Sequence, residues 1–527
     1  MSFRPNRRIT DMGPVGAHDP QSPRLFLTAS EAYPALEQLF LEARSDISMG
    51  YRVFDPDTRL HSEAARAIGD TWSDLLAHTL ARGVSIRLLL SDFDVVVAPD
   101  LHRMTWRAVA GIKAAGQASG RPDLLTVLPA LHPARIGWVP RAFMWSKIVG
   151  NIRTEAARLN ALPVEAAQDD LVHMPAILPY LRGKHPHLQV KTWPIPAIVP
   201  VTHHQKLAVF DGQRLFIGGL DLNDRRYDTP EHDRPADQTW HDTQILVDGP
   251  VAAEARAHLN EVTAVANGDR TASRMQHLLR TLSAKHPRDT FRMSPAPVDT
   301  GLERAHLQHI KQACRLIYFE SQFMRSVPLA RALARAARAN PDLHLLLVLP
   351  GAPDDVAFEG NKKSDARYGE YLQAKCVRLI RSAFKTRCFI MAPAQPKRTY
   401  THGRSALKGA PLVYLHAKVS IFDDEAAIIS SANLNGRSLR WDTEAGVMLT
   451  DSETVDVLRR RCFQHWLPED APDAAFDPKT AVESWRNMAR DNAARAPEDR
   501  QGFVLSYPVS PARRFGRNLP GVPEELV

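Results

Sequence analysis

The feature that most constrains this chain is a spaced set of residues that occurs twice. From Thr202 to Asp228 the sequence reads THHQKLAVFDGQRLFIGGLDLNDRRYD, in which His204, Lys206 and Asp211 stand as H-x-K-x4-D, and Gly218 and Gly219 follow after six more residues. From Tyr414 to Asn433 it reads YLHAKVSIFDDEAAIISSAN, with His416, Lys418 and Asp423 in the same frame and Ser430 and Ser431 at the same distance. Composition alone yields roughly 0.04 such matches in a chain of this length, so two are expected on the order of once in a thousand chains. The chain therefore carries one cassette in duplicate. Ten residues past the aspartates lie Asp221 and Asn433, and each copy later reaches an acid that opens an apolar run, Asp242 in the first and Glu444 in the second.

A chain of 527 residues can form two domains or one pseudo-symmetric body of two halves. With 44% hydrophobic and 24% charged residues it reads as an ordinary globular protein. A formal charge of +8 favours anionic partners, lipid headgroups or nucleic acid, without choosing between them. No window approaches a membrane-spanning length of apolar residues, and the basic start of the chain lacks the apolar core of a secretory signal. Residues 1–24 are expected to be a disordered tail. The four cysteines, Cys314, Cys376, Cys388 and Cys462, show no C-x-x-C spacing, which argues against a disulfide framework or a zinc site and for reduced thiols.

Hydrophobic periodicity predicts a helix over 29–42, a strand over 45–54, a helix over 62–81 that ends at Gly83, and a buried strand from Val84. The same order returns as a helix from Leu302, a strand from Arg315, a helix from Pro328 and a strand from Leu343. The duplication thus extends well beyond the cassettes. The expected division is a first half over 25–270, a second over 295–470, and a C-terminal extension over 471–527 wrapped on the body. The first half carries an insertion over 95–191, and the polar, proline-containing stretch 267–300 marks the boundary between halves. Near the first cassette lie Trp138, Phe143, Trp145 and Trp193, which fit either core packing or loops that admit acyl chains and touch a lipid interface. Period-two geometry predicts His and Lys of each cassette on one face of a strand, with a hairpin turn at Asp211-Gly212 and at Asp423-Asp424.

A histidine, a lysine and a small-residue turn presented twice suit phosphate chemistry. Lys206 and Lys418 would bring compact positive charge to non-bridging oxygens. One imidazole can attack phosphorus while the other, protonated, gives a proton to the leaving alkoxide. Carboxylates behind the rings would fix their tautomers, and Asp242 and Glu444 are the candidates. Asp211 and Asp423 lie at the strand ends, off the histidine face, and read as turn-holding structural residues. Gly218, Gly219, Ser430 and Ser431 are small enough to let backbone approach a phosphate. Asn433 can donate to an oxygen where an ionised Asp221 cannot, so the halves are not interchangeable.

These residues resemble the phospholipase D superfamily over about residues 25–466. More narrowly, GGLDLNDRRYDTPEH with WHDTQILVDGP, and IYFESQF with SSANLNGRSLRWDTEAGVML, are similar to phospholipases D proper. The resemblance implies an α/β fold of two pseudo-symmetric α/β/α halves packed face to face around one shared active site. It also implies a phosphohistidine on His204, with His416 as general acid, and neither a cofactor nor a required metal. Ser430, where a glycine is usual, is the one departure. The implied activity is hydrolysis of the distal phosphodiester of a glycerophospholipid to phosphatidic acid and a free headgroup alcohol, or transphosphatidylation with an alcohol acceptor. A cardiolipin-synthase-like phosphatidyltransferase is the first alternative, although the N-terminal membrane helices usual there are missing, as are the lipid-targeting domains of many eukaryotic phospholipases D. A nuclease of the superfamily is less favoured, because two cassettes are fused in one chain. A binding module would be expected to have lost a catalytic histidine or lysine. The expected setting is cytoplasmic or at a membrane periphery, as a monomer with transient lipid contact. Export without a cleavable signal is equally compatible. Neither a G-x-S-x-G elbow, a P-loop nor H-E-x-x-H occurs. His203-His204 and His185-Pro186-His187 lack acidic or cysteine partners at ligand spacing, so metal is not expected there.

Overall fold

A computed structural model describes residues 23–193, 195–288, 290–293 and 295–527. The expected tail lies almost wholly outside the described residues, and Arg24 already opens a strand, Arg24–Leu27. That strand belongs to a seven-stranded sheet ordered Arg24–Leu27, Thr243–Asp248, Arg214–Gly218, Leu207–Phe210, Asp46–Tyr51, Ser85–Ser91, Leu125–Ala130. A nine-stranded sheet follows the order Ala296–Thr300, Leu278–Ala284, Glu444–Leu449, Ala426–Ser430, Lys418–Phe422, Leu316–Ser321, His344–Val348, Cys388–Pro393, Val504–Ser506. Six consecutive strands correspond, three joined in parallel through crossover helices and three antiparallel through the hairpin that carries the cassette. The result is a mixed α/β fold of two related halves.

Strand alternation assigns the two faces. Leu207 and Val209 join one apolar cluster with Val419, Ile421 and Ile429 of the other half, whereas Ala208 and Phe210 pack outward with Phe40 and Trp72. In the second half Ile317 and Phe319 face the outer helices while Leu316 and Tyr318 face the shared cluster. The helices Pro250–Ala266 and Ser452–Trp466, each following the last strand of its cassette, add Leu259, Phe463 and Trp466 to that shared core. Full burial of one such aliphatic or aromatic side chain contributes about 1.5–3 kcal/mol, so the halves are held by a continuous apolar core.

Several expected boundaries move. The helix expected over 62–81 is two helices, Glu63–Arg66 capped by Ser62 and Trp72–Ala81 started by a Thr71/Asp74 capping box, which restarts the chain in a new direction. The insertion is shorter than 95–191. Helix Pro99–Ala118 and strand Leu125–Ala130 are the counterparts of Ser364–Phe384 and Cys388–Pro393, so the added segment starts after Ala130. The stretch 267–300, expected as the boundary between halves, contains paired strands, Leu278–Ala284 with Glu444–Leu449 and with Ala296–Thr300. Its polar residues are accommodated by pairing: Arg280, 1% exposed, reaches Glu261 and Asp299. The C-terminal stretch completes the second sheet, with Val504–Ser506 pairing to Cys388–Pro393. Among the described residues no helix is long and apolar enough to cross a membrane.

Candidate active site

The histidines sit just before their strands, not within them as the alternation predicts. Strands begin at Leu207 and Lys418, and the residues ahead of them are diverted to bond with the other half. The His204 amide donates to the Thr443 carbonyl at 2.8 Å and the Thr443 amide donates to Thr202 at 3.0 Å. At the related point the His416 and Ala417 amides donate to the His241 carbonyl at 2.8 and 3.1 Å, and the His241 amide donates to Tyr414 at 2.8 Å. Two short main-chain bridges related by the internal symmetry thus fix both cassettes at the junction.

The same crossing governs the side chains. His204 Nδ1 lies 3.0 Å from Oε1 of Glu444, and His416 Nδ1 lies 2.5 Å from Oδ2 of Asp242. Both carboxylates are fully buried, while the imidazoles keep 13% and 8% of their side-chain surface. A carboxylate on Nδ1 leaves Nε2 of each ring as the reactive nitrogen. Lys206 donates to the carbonyl of His204 at 2.5 Å, and Lys418 donates to that of His416 and lies 2.9 Å from its Nδ1. The cassette spacing therefore places each ammonium directly beside its own histidine.

Electrostatics follow from this crowding. Burial, then the charges of Lys206, Arg52, Lys418 and His416, holds His204 well below the usual imidazole range. Burial and Lys418 lower His416 to about 3, against the opposing pull of Asp242. Burial lowers Lys418 to about 7 and also lowers Lys206, which Asp221 and Glu444 partly support. Burial pushes Glu444 up to about 8, opposed chiefly by Lys206. Asp242 moves the other way: burial would raise it, but His416 and Lys418 together hold it below the normal carboxylate range. Both shifts favour the neutral ring, so the opposite protonation states expected of the pair require an anionic substrate to offset the lysines.

The remaining candidates divide into cleft and support positions. Asp221 is 1% exposed, accepts from the Val53 amide at 2.9 Å, and stands 3.8 Å from Lys206 and 3.7 Å from Arg226, which makes it a partner of the lysine. At the related position Asn433 donates to Gln322 at 3.0 Å and keeps its buried Oδ1 without a hydrogen-bond partner among the described residues. Ser431 donates to Glu444, whereas a Cβ at Gly219 would stand 2.1 Å from Oδ1 of Asp242. Gly218 is likewise closed by the Thr243 carbonyl, 2.2 Å from its ideal Cβ. Asp211 accepts from the amides of Arg44, Ser45 and Asp46, and Asp423 from those of Cys314, Arg315 and Leu316. Each is in the left-handed region, with φ of 52° and 56°, and staples its hairpin to the start of the neighbouring strand.

Three residues escaped the sequence reading. Arg52 and Gln322 hold equivalent positions past the strands Asp46–Tyr51 and Leu316–Ser321, as the bridges Phe54 to Leu222 and Met324 to Leu434 show. Arg52 adds its charge to His204 and Asp221, and Gln322 holds Asn433. Aligning the two strands against each other was the signal available. Trp240 also belongs here, its ring 4.6 Å from that of His416 and its Nε1 3.3 Å from Asp242. The aromatic residues of the insertion are not core: Trp138 is 57%, Phe143 88% and Trp193 76% exposed.

Comparison with known proteins agrees with this arrangement. The family described as "Cardiolipin synthase, PLD-like domain" matches residues 306–466. Phospholipase D1 of Schizosaccharomyces pombe is 25% identical over 349 residues, covering 48% of this chain and 25% of its own length. Phospholipase D beta 1 of Arabidopsis thaliana is 22% identical over 465 residues, covering 61% of this chain and 43% of its own. The chain thus spans between a quarter and a half of the length of these relatives. In fold it is similar to the crystal structure of phosphatidylserine synthase from Haemophilus influenzae Rd KW20, with a TM-score of 0.50, 12% identity, and coverage of 90% of this chain and 94% of that one. With its duplicated cassette, its paired sheets and these relatives, the chain is similar to the phospholipase D superfamily.

Proposed function

We propose that this protein is a phospholipase D-type phosphodiesterase that cleaves the distal phosphodiester of glycerophospholipids. The observation that carries the reading is the crossed pairing of His204 with Glu444 and His416 with Asp242, beside two buried lysines. A neutral His204 held by Glu444 through Nδ1–H attacks phosphorus with its Nε2 lone pair. The bond from phosphorus to the headgroup oxygen breaks, and His416, protonated once the substrate anion is bound, gives its Nε2 proton to that oxygen. His416 then takes a proton from water, or from an alcohol, as that oxygen attacks the phosphohistidine and frees His204. Lys206 and Lys418 stabilise the charge that accumulates on the non-bridging oxygens.

The substrate lies in a membrane, and the insertion offers a way to reach it. The Gly137 amide donates to Arg292 and the Val139 amide to Thr290, which sets exposed Phe291 beside helix Trp138–Phe143. Trp145 Nε1 donates to the Thr192 carbonyl at 3.4 Å, next to Trp193. The chain then runs through Val201 directly into His204. We assign this aromatic surface to transient interfacial contact. Every residue of the proposed chemistry comes from one chain, so a monomer suffices.

A phosphatidyltransferase of the cardiolipin-synthase kind uses the same covalent step with a lipid alcohol as acceptor, and the family matched over 306–466 favours keeping it as the second reading. Incubation with mixed phospholipids and ethanol, with mass analysis of the products, separates the readings. Phosphatidic acid and phosphatidylethanol are expected. Cardiolipin from phosphatidylglycerol alone would point to the transferase, and cleavage of DNA without attack on lipid would overturn both.

A further inference from the structure

One residue before Asp242, His241 takes part in a second cluster that the phosphodiester chemistry does not use. It faces His232 and His465, and the nearest ring nitrogens of the three lie within 4.8 Å of one another. His232 and His241 come from the first half, whereas His465 is the penultimate residue of helix Ser452–Trp466 in the second. The internal twofold does not repeat this cluster, since the counterpart of His241 is Thr443.

The hydrogen bonds around the cluster fix where its lone pairs point. Asp228 accepts from the Trp240 amide at 2.7 Å and the Thr229 amide at 2.9 Å, so its bond of 2.7 Å to His232 Nδ1 must also be accepted. Glu320 accepts from the Tyr318 hydroxyl at 2.5 Å and Trp466 Nε1 at 2.9 Å, and in the same way accepts from His241 Nε2 at 3.1 Å. With those nitrogens as donors, Nε2 of His232 and Nδ1 of His241 carry lone pairs and no proton. Nδ1 of His241, in a residue that is 0% exposed, has no hydrogen-bond partner among the described residues. Nε2 of His232 accepts from Nε2 of His465 at 2.9 Å, and His465 gives up that proton when an ion takes its place. Carboxylate, imidazole and shared focus in line are the outer-shell arrangement that orients metal-bound histidines. The two carboxylates would balance a divalent charge, and the rings of Trp466 and Phe503 pack 4.4 Å from His241 and 5.4 Å from His232.

We propose that His232, His241 and His465 bind a borderline divalent transition ion, with zinc the best fit to three imidazoles and a fourth open position. Bond lengths of about 2.0–2.1 Å put tetrahedral ligand nitrogens roughly 3.3 Å apart, so Nε2 of His232 and of His465 must move slightly apart from 2.9 Å while the wider spacings of the cluster close. The ion joins the two halves beside His416, whose amide is held by the His241 carbonyl. It performs no step at phosphorus.

The test uses the full chain without an affinity tag, stripped with a strong chelator and titrated with Co²⁺ and then Zn²⁺. One ion per chain is expected, with the visible bands of low-coordinate cobalt, their displacement by zinc, and a higher melting temperature. X-ray absorption should count three imidazoles on the ion. The His204→Ala/His416→Ala double variant should bind the ion as the parent does, and His465→Gln should bind it at least tenfold more weakly. The idea is overturned if the stripped parent takes up no stoichiometric ion, if absorption shows fewer than three imidazoles, or if the double variant loses the ion. A folded His465→Gln with parental affinity overturns it too. Should His465→Gln fail to fold, the titration and imidazole count on the parent decide alone.

Discussion

His204 Nδ1 and Glu444 Oε1 are 3.0 Å apart although 240 residues separate them in the chain, and each belongs to a different half. The reciprocal pair, His416 with Asp242, crosses in the opposite direction. Neither half therefore holds a complete histidine–carboxylate unit. Glu444→Gln and Asp242→Asn should each lower kcat by about 10²–10⁴ while leaving the fold intact, by analogy with loss of the acid behind a catalytic histidine. Rates within threefold of the parent for either variant, measured on short-chain phosphatidylcholine, would remove the orienting role.

The two histidines should fail differently. His204→Ala is expected to abolish covalent labelling by a phospholipid, whereas His416→Ala should trap the phosphoenzyme when the leaving group needs no proton. Lys206→Met and Lys418→Met should each slow turnover by roughly tenfold or more, because each removes a charge felt most in the transition state. Labelling of His204→Ala at the parental level, read by intact mass, is the result that contradicts this assignment.

The pH profile follows from the buried charges. Glu444, raised to about 8, must lose its proton to hold His204 in the attacking tautomer, so kcat/KM rises as pH rises through that region. Lys418, lowered to about 7, must keep its proton, so kcat/KM falls as pH rises through its own value. A narrow bell with limbs near 7 and 8 is expected, its apparent values belonging to the pair. Lys418→Arg should remove the falling limb even at a reduced maximum rate. A falling limb unchanged in that variant assigns it to another group.

Asp423, 3% exposed, accepts three main-chain amides at the end of its hairpin. Asp423→Ala should destabilise the fold by about 1–3 kcal/mol per amide left unsatisfied, with kcat of the folded fraction nearly unchanged. Urea unfolding and active-site titration together check this, and a large fall in kcat without loss of stability would move Asp423 into the catalytic set.

The exposed aromatic residues of the insertion give a last expectation. Phe143→Ser with Trp193→Ser should weaken sedimentation with phospholipid vesicles by about tenfold or more, while hydrolysis of a monomeric soluble diester stays at the parental rate. Equal loss on both substrates would place these residues in the site itself.

Much of this protein is legible in the sequence because covalent spacing sets it. H-x-K places Lys206 and Lys418 beside the carbonyls of their own histidines, and period-two alternation divides Leu207 and Val209 from Ala208 and Phe210. Doubling of the cassette and of its flanking strands already implies two related halves. What a linear reading could not decide is which acid serves which histidine, that Asp221 backs a lysine, or that Arg52, Gln322 and Trp240 enter the site. It also took 278–284 for part of a boundary, because a strand whose Arg280 is neutralised by Glu261 and Asp299 looks too polar to be buried. The crossed histidine–acid pairs depend on contacts across 240 and 174 residues of chain. Local periodicity carries no information about such contacts, and the packing of one half on the other creates them.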